Sequence, residues 1–203
     1  MSDQIGVLFA RADSIYKMLP GCDVWDIERD ARRWPGGSPI VAHPPCRAWG
    51  RLRAFAKPRA DEKDLARWAV DQIRRYGGVL EHPESSSLWA DKGLPRPGMK
   101  DEFGGWTLPV HQYWWGHRAQ KKTWLYIVGC APSDVPEMPF KLGTADCRIR
   151  LDKRRADGTH IRKGDPDYQP VLGDAEREHT PLAFAEWLVQ LARRCHVTEA
   201  MTT

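Results

Sequence analysis

No two of the five cysteines in this 203-residue chain (Cys22, Cys46, Cys130, Cys147, Cys195) stand in a Cys-x-x-Cys pair, and their number is odd. Such spacing argues against a zinc cage, so no metal is expected. It points to the reduced thiols of a cytoplasmic protein rather than to a disulfide framework. No apolar run approaches the roughly 20 residues of a membrane span, and no N-terminal stretch reads as an export signal, so no membrane partner is expected. There is no internal repeat. Neither sign of charge dominates: 31 basic and 27 acidic residues leave a net charge of +4. That balance permits a polyanion partner without demanding one. Tryptophan, by contrast, is plentiful at ten residues. Trp34, Trp49, Trp106, Trp114 and Trp115 flank basic or Gly/Pro-rich segments. Core packing accounts for most of them, and a surface one would suit stacking on a base.

The length fits one α/β domain, with or without a small appendage. Residues 5–9, 22–27 and 39–43 read as short apolar strands bounded by Gly/Pro signals, which suits a mostly parallel sheet covered on both faces. The spacers between them are short for full crossover helices, which need about a dozen residues. The pattern over 61–76 predicts a helix, with Leu65, Ala66, Trp68, Ala69, Ile73 and Tyr76 on one stripe, Asp61 as its cap and Gly77-Gly78 as its stop. Residues 79–81 then read as a strand. This makes a βαβ unit with Cys46 and Glu81 at the carboxyl edge of the sheet, where open α/β sheets bind ligands. Beyond a Gly/Pro-rich excursion at 89–106, residues 107–115 and 123–128 read as strands. The charge-dense segment 148–164 reads as a mobile loop or hairpin. A last helix over 181–194 is expected to bury Leu182, Phe184, Ala185, Leu188, Val189, Leu191 and Ala192, with a frayed tail after His196. The chain thus divides into a catalytic core (1–146), a basic loop or hairpin (147–175) and a C-terminal helix packing on the core (176–203).

Three segments carry candidate chemistry. In Ala42-His43-Pro44-Pro45-Cys46-Arg47, two prolines fix the backbone before a cysteine. A free thiol has a pKa of about 8.5, so it needs a positive field to ionise at neutral pH. Arg47, Arg51 and Arg53 would supply one; a structural cysteine beside a tight turn is the equal alternative. In Leu80-Glu81-His82-Pro83-Glu84, a carboxylate ends an apolar strand and must find a partner or solvent. In Gly116-His117-Arg118-Ala119-Gln120-Lys121-Lys122, three cations stand before a strand, as a solvated turn or a phosphate clamp.

These segments, in this order, resemble the cytosine-C5 DNA methyltransferase family. That family has a Pro-Cys nucleophile segment after a strand, then a helix and a strand ending in Glu-Asn. Later it has a Gly-x-Pro-Gln-x-Arg-x-Arg segment leading into a strand. Here they read as Pro44-Pro45-Cys46, Glu81-His82-Pro83 and the run from Gly116 to Thr123. Cys46 and Glu81 are 35 positions apart, close to the family's interval, and the resemblance covers roughly residues 5–128. It implies an abbreviated Rossmann-like methyltransferase fold that modifies a pyrimidine in DNA through a covalent Cys46–C6 adduct. It also implies S-adenosylmethionine as cofactor, held by Phe9, Asp26 (or Glu28), Ile27, His43 and Pro44. Arg47, Arg51, His82, Arg118, Gln120, Lys121 and Lys122 would bind the substrate. Glu81 would hold a proton against the base, above its free pKa of about 4.3, with burial raising it.

The chain also departs from the family. His82 replaces the Asn. Lys121 and Thr123 stand where arginines are usual. The glycine-rich loop after the first strand reads Leu8-Phe9-Ala10-Arg11-Ala12-Asp13-Ser14, with no glycine. Only about 75 residues follow the last motif, too few for a large recognition domain. Two other readings stay open. One is an enzyme of the same fold that acts on a free pyrimidine nucleotide or uses another donor. The other is an inactive nucleic-acid-binding relative. A zinc deaminase, suggested by His82-Pro83-Glu84, lacks its Cys-x-x-Cys. The small isolated core suggests a phage or mobile-element source.

Overall fold

The computed structural model describes residues 4–51, 53–84, 86–149 and 154–197. The strands are β1 (Ile5–Leu8), β2 (Cys22–Trp25), β3 (Ile40–Ala42), β4 (Gly78–Pro83), β5 (Trp106–His111) and β6 (Lys122–Val128). They form one mixed, mostly parallel sheet in the order β2-β1-β3-β4-β6-β5. The first four are parallel; β6 is antiparallel to β4, and β5 to β6. The helices are α1 (Glu62–Tyr76), α2 (Leu88–Asp91), α3 (Asp174–Glu178) and α4 (Leu182–Arg193).

Successive strand residues point to opposite faces, and the core divides accordingly. Ile5, Val7, Val41, Val79, Leu125 and Ile127 pack with Phe184, Leu188 and Leu191 of α4. Leu8, Ile40, Ala42, Leu80, Tyr126 and Val128 pack with Ala66, Ala69, Val70 and Ile73 of α1. Both faces are covered, which is why β3, and β4 up to Glu81, read as apolar runs. Each fully buried aliphatic side chain here contributes about 1.5–3 kcal/mol.

The βαβ unit formed as expected from the sequence. Gly77 caps α1 at φ 77. Gly78, at φ 126, lies so close to β3 that a Cβ would stand 2.1 Å from the Ile40 carbonyl oxygen. Only glycine fits there. The crossovers β1–β2 and β2–β3 contain only single 3-10 turns, Ile15–Met18 and Ala31–Arg33, so the sheet is abbreviated where the spacers are short.

Three local expectations need correction. Asp61 makes no side-chain cap on α1; it pairs instead with Arg59 and Arg32. The fifth strand stops at His111, and Gln112–Trp115 is a 3-10 turn. Leu182, the first residue of α4, is exposed, whereas Trp187 is buried, with its indole N–H donating to the Pro136 and Glu137 carbonyls. Trp68 and Tyr76 are partly buried and pack against the same cluster, as the α1 stripe implies. Between the core and α4, isolated bridges join Ala119 to Cys147, Arg148 to Val171 and Arg154 to His160. The last bridge is antiparallel; residues 150–153 of the expected loop or hairpin lie outside the described residues, as do 198–203 of the tail. Among the described residues no helix is long and apolar enough to cross a membrane.

Candidate active site

The carboxyl ends of β1, β3 and β4 form one rim. β3 stops at Ala42, opposite Leu80. β4 runs on to Pro83 because β6 pairs it from the other side, with Glu81 opposite Leu125. Glu81 therefore sits within β4, two residues before its end, and just past its last β3 partner. By alternation, residues 41 and 43, like 79 and 81, share the face that α4 covers. This register makes His43 and Glu81 lateral neighbours, and Thr123 reaches the same face from β6. On the neighbouring rim, Phe9 adopts φ 61, a left-handed conformation costly for a residue with a Cβ. Its ring meets Trp68 of α1 edge-on at 5.9 Å.

Glu81 is tightly held. Its Oε2 accepts from His43 Nδ1 at 3.0 Å. Its Oε1 accepts from Gln112 Nε2 at 3.0 Å and from Thr123 Oγ1 at 3.3 Å. An ionised carboxylate cannot donate, so Nδ1 must carry the imidazole proton. His43 Nε2 is then the acceptor for the buried Tyr16 hydroxyl at 2.9 Å. Glu81, His43, Tyr16, Cys46, Lys121 and His82 all line one cavity of about 420 Å³. The thiol and the carboxyl group thus face the same space.

The charges in this cavity run against the sequence expectation for its resting state. Burial pushes the Glu81 carboxyl up, but the hydrogen bond from His43 and the nearby charge of Lys121 outweigh it, giving about 2. Cys46 is an exposed residue, yet crowding of its thiol and the Glu81 charge push its pKa up to about 11, with Lys121 opposing. The resting site therefore holds a carboxylate and a neutral thiol. The arginines after Cys46 do not supply the field. Arg47 pairs with the buried carboxylate of Glu62, Arg53 reaches the Gly50 carbonyl at 3.4 Å, and Arg51 is exposed. The cation that acts on the thiol is Lys121, whose own pKa is lowered by burial.

Of the basic segment, only Lys121 lines the cavity. It is held at φ 38, and its Nζ donates to the His179 carbonyl at 3.3 Å. Arg118 pairs with Glu176 at 3.0 Å, Gln120 bonds His111 at 2.8 Å, and Lys122 is exposed on β6. His82 is 1% exposed, and burial lowers its pKa to about 4, so it stays neutral.

A wider cavity of about 580 Å³ adjoins the first, sharing Phe9, Ala10, Arg11, Pro45, Arg47 and Glu178. Of the residues assigned to a cofactor, Phe9, Asp26 and Ile27 line this cavity, whereas His43 and Pro44 line the Cys46 cavity. Asp26 is nearly buried and spent within the chain. Its Oδ2 takes Lys17 Nζ at 2.7 Å, and its Oδ1 accepts from the backbone N–H groups of Glu28 and Arg29. Lys17 and those N–H groups lower its pKa. Ile27 is 69% exposed. Glu28 lines neither cavity.

Sequence reasoning missed Tyr16, Gln112 and the strap formed by α3 and His179. Glu178 pairs with Arg11 at 2.5 Å, and His179 with Asp13 at 3.4 Å. Tyr16 stands in what reads as a polar loop, and reading 107–115 as one strand hid the inward turn of Gln112. No protein-family model and no curated protein matches this chain.

Proposed function

We propose that this chain is an enzyme of the cytosine-C5 methyltransferase type, with a Rossmann-like core, acting on a cytosine in DNA in the cytoplasm. The observation that carries this reading is that the Cys46 thiol and the Glu81 carboxyl group open on one cavity at the carboxyl edge of parallel strands, with the cation Lys121 beside both. Cytosine C5 is a poor nucleophile. Addition of the Cys46 thiolate to C6 makes C5 an enamine carbon. Density then builds at N3, where a proton held by Glu81 stabilises it. The base must leave a duplex stack to reach such a cavity.

A cofactor fits the wider cavity, whose volume lies within the roughly 300–1,000 Å³ of small-molecule sites. The exposed side chain of Ile27, with Phe9 and Ala31, offers apolar faces for an adenosyl ring. When bound, S-adenosylmethionine would supply the methyl group. A second reading is favoured by one observation: the carboxylate of Asp26 is already bonded at both oxygens, and the loop after β1 has no glycine. On that reading the same thiol and carboxyl group act with another one-carbon donor or on a free pyrimidine nucleotide.

DNA carrying 5-fluorocytosine, incubated with S-adenosylmethionine, is expected to leave an adduct on the Cys46 peptide by mass spectrometry. Calorimetry with the cofactor separates the two readings: heat at micromolar to millimolar concentration favours the first, and none favours the second. An active protein with no adduct on Cys46 would remove the first reading.

A further inference from the structure

Three hydrogen-bonded groups run from the interior to the cavity: the Tyr16 hydroxyl, the His43 ring and Glu81. Chemistry at a pyrimidine asks Glu81 for two opposite states. The N3 of cytosine is an acceptor, so the carboxyl group must bring a proton. The N3 of uracil carries a hydrogen, so an ionised carboxylate suits it as it stands. Resting on the function proposed for Cys46 and Glu81, we propose that His43, set by Tyr16, is the residue that delivers a proton to Glu81 when cytosine occupies the cavity. Engaging cytosine then takes one proton more from solvent than engaging uracil does.

The alternative donor is the Cys46 thiol itself. A thiol near 11 beside a carboxyl near 2 makes that transfer strongly uphill in the empty site. His43 has the better placement. Its Nδ1 lies 3.0 Å from Oε2, and its side chain, 14% exposed, lines the open cavity and can be recharged from water. Tyr16 is 1% exposed and burial holds its hydroxyl protonated, so it donates to Nε2 in the resting state and turns to accept when His43 is charged. The other titratable or charged groups facing the trio are Cys46 and Arg47 after β3, His82 on β4, Lys121 before β6 and Arg11 after β1. Arg177, Glu178 and His179 face it from α3 and the residue beyond.

The step balances. Solvent protonates His43, and the Nδ1 proton passes to Glu81 Oε2. The Cys46 thiol gives its own proton to solvent, and the lone pair of the resulting thiolate forms the S–C6 bond. The C5=C6 pair becomes C4=C5, and the C4=N3 pair moves onto N3, which takes the proton from Glu81.

Release of tritium from C5 into water reports this reversible addition without any methyl donor. The probes are random-sequence oligonucleotides carrying [5-³H]cytosine or [5-³H]uracil. For the wild-type protein, release from cytosine should fall about tenfold per pH unit relative to release from uracil on the alkaline limb, because thiolate formation affects both bases alike and the extra proton affects cytosine alone. His43→Gln should cost cytosine about 100-fold and uracil less than about threefold. Tyr16→Phe, which keeps the buried ring, should displace the cytosine limb along the pH axis. Equal losses on both bases, or an unmoved cytosine limb in both variants, would overturn the relay alone. No release from either base by the wild-type protein would overturn the Cys46 reading and the relay together. Nitrogen-15 spectra of His43 at pH 8 need no variant: protonation at Nδ1 is expected, and protonation at Nε2 alone overturns the relay.

Discussion

The two cavities at the rim of the sheet differ in what their carboxylates still have to offer. On the β3–β4 side, Glu81 is braced by His43, Gln112 and Thr123 and yet faces open space. On the β1–β2 side, Asp26 is also braced, but by its own backbone and Lys17, and it is 4% exposed. A braced group that faces a cavity is preorganised for a ligand. A braced group with no face left serves the fold. The half of the rim that would hold a base is built, while the half that would hold a cofactor offers apolar surface and space but no free carboxylate on β2.

The largest expected effect tests the built half. Cys46→Ser should reduce tritium release and adduct formation by at least about 10³-fold, as for removal of a nucleophile. Its melting temperature should stay within a degree or two, because an exposed residue is exchanged for one of equal size. Retained activity would break the contrast at its stronger side.

On the weaker side, Asp26→Asn is expected to cost about 2–3 kcal/mol in urea unfolding, since a nearly buried charge partner of Lys17 is lost. Any heat of S-adenosylmethionine binding should barely change. If stability holds and binding is lost, Asp26 belongs to the cofactor after all.

Much of this was legible in the sequence, and the exceptions have physical causes. The βαβ unit could be read because α1 has a clean apolar stripe and ends on Gly77-Gly78, and because β4 is wholly apolar up to Glu81. The shared cavity followed from that unit. Proton states were not legible. They depend on which donors the register sets beside a carboxyl group, and His43 becomes a neighbour of Glu81 only once β3 and β4 pair. Cations adjacent in sequence, Arg47, Arg51 and Arg53, misled for the same reason. The effective cation is Lys121, 75 positions from Cys46. Gln112 was hidden because β5 stops at His111, four residues before the end of the 107–115 strand that its pattern implies.

Acid stability sharpens the contrast further, because His82 lies beneath the built half. Its folded pKa of about 4 is below the unfolded value of about 6.5. Between these values the unfolded chain binds the extra proton, so stability is full above pH 6.5 and falls as pH drops toward 4. Unfolding free energy of the wild-type protein should drop by on the order of 2 kcal/mol across that window. His82→Gln should remove most of that slope while lowering stability at pH 7. An unchanged slope would mean that His82 reaches water in the native state.

The smallest effect is the most diagnostic, because two substitutions are expected to act with opposite signs on one thiol. The charge of Glu81 raises the Cys46 pKa and the charge of Lys121 lowers it. Alkylation by iodoacetamide proceeds through the thiolate, so its rate at pH 8 follows the thiolate fraction. Glu81→Gln should therefore speed alkylation of Cys46 by about tenfold, the effect of one pKa unit. Lys121→Met should slow it by a similar factor, and the difference should vanish as pH approaches the thiol's own pKa. Both residues must stand close enough to the sulfur, in a space dry enough, for a single charge to be felt. If neither substitution moves the rate, thiol and carboxylate do not share the field that the chemistry at a pyrimidine ring requires, and the β3–β4 cavity is no better built than its neighbour.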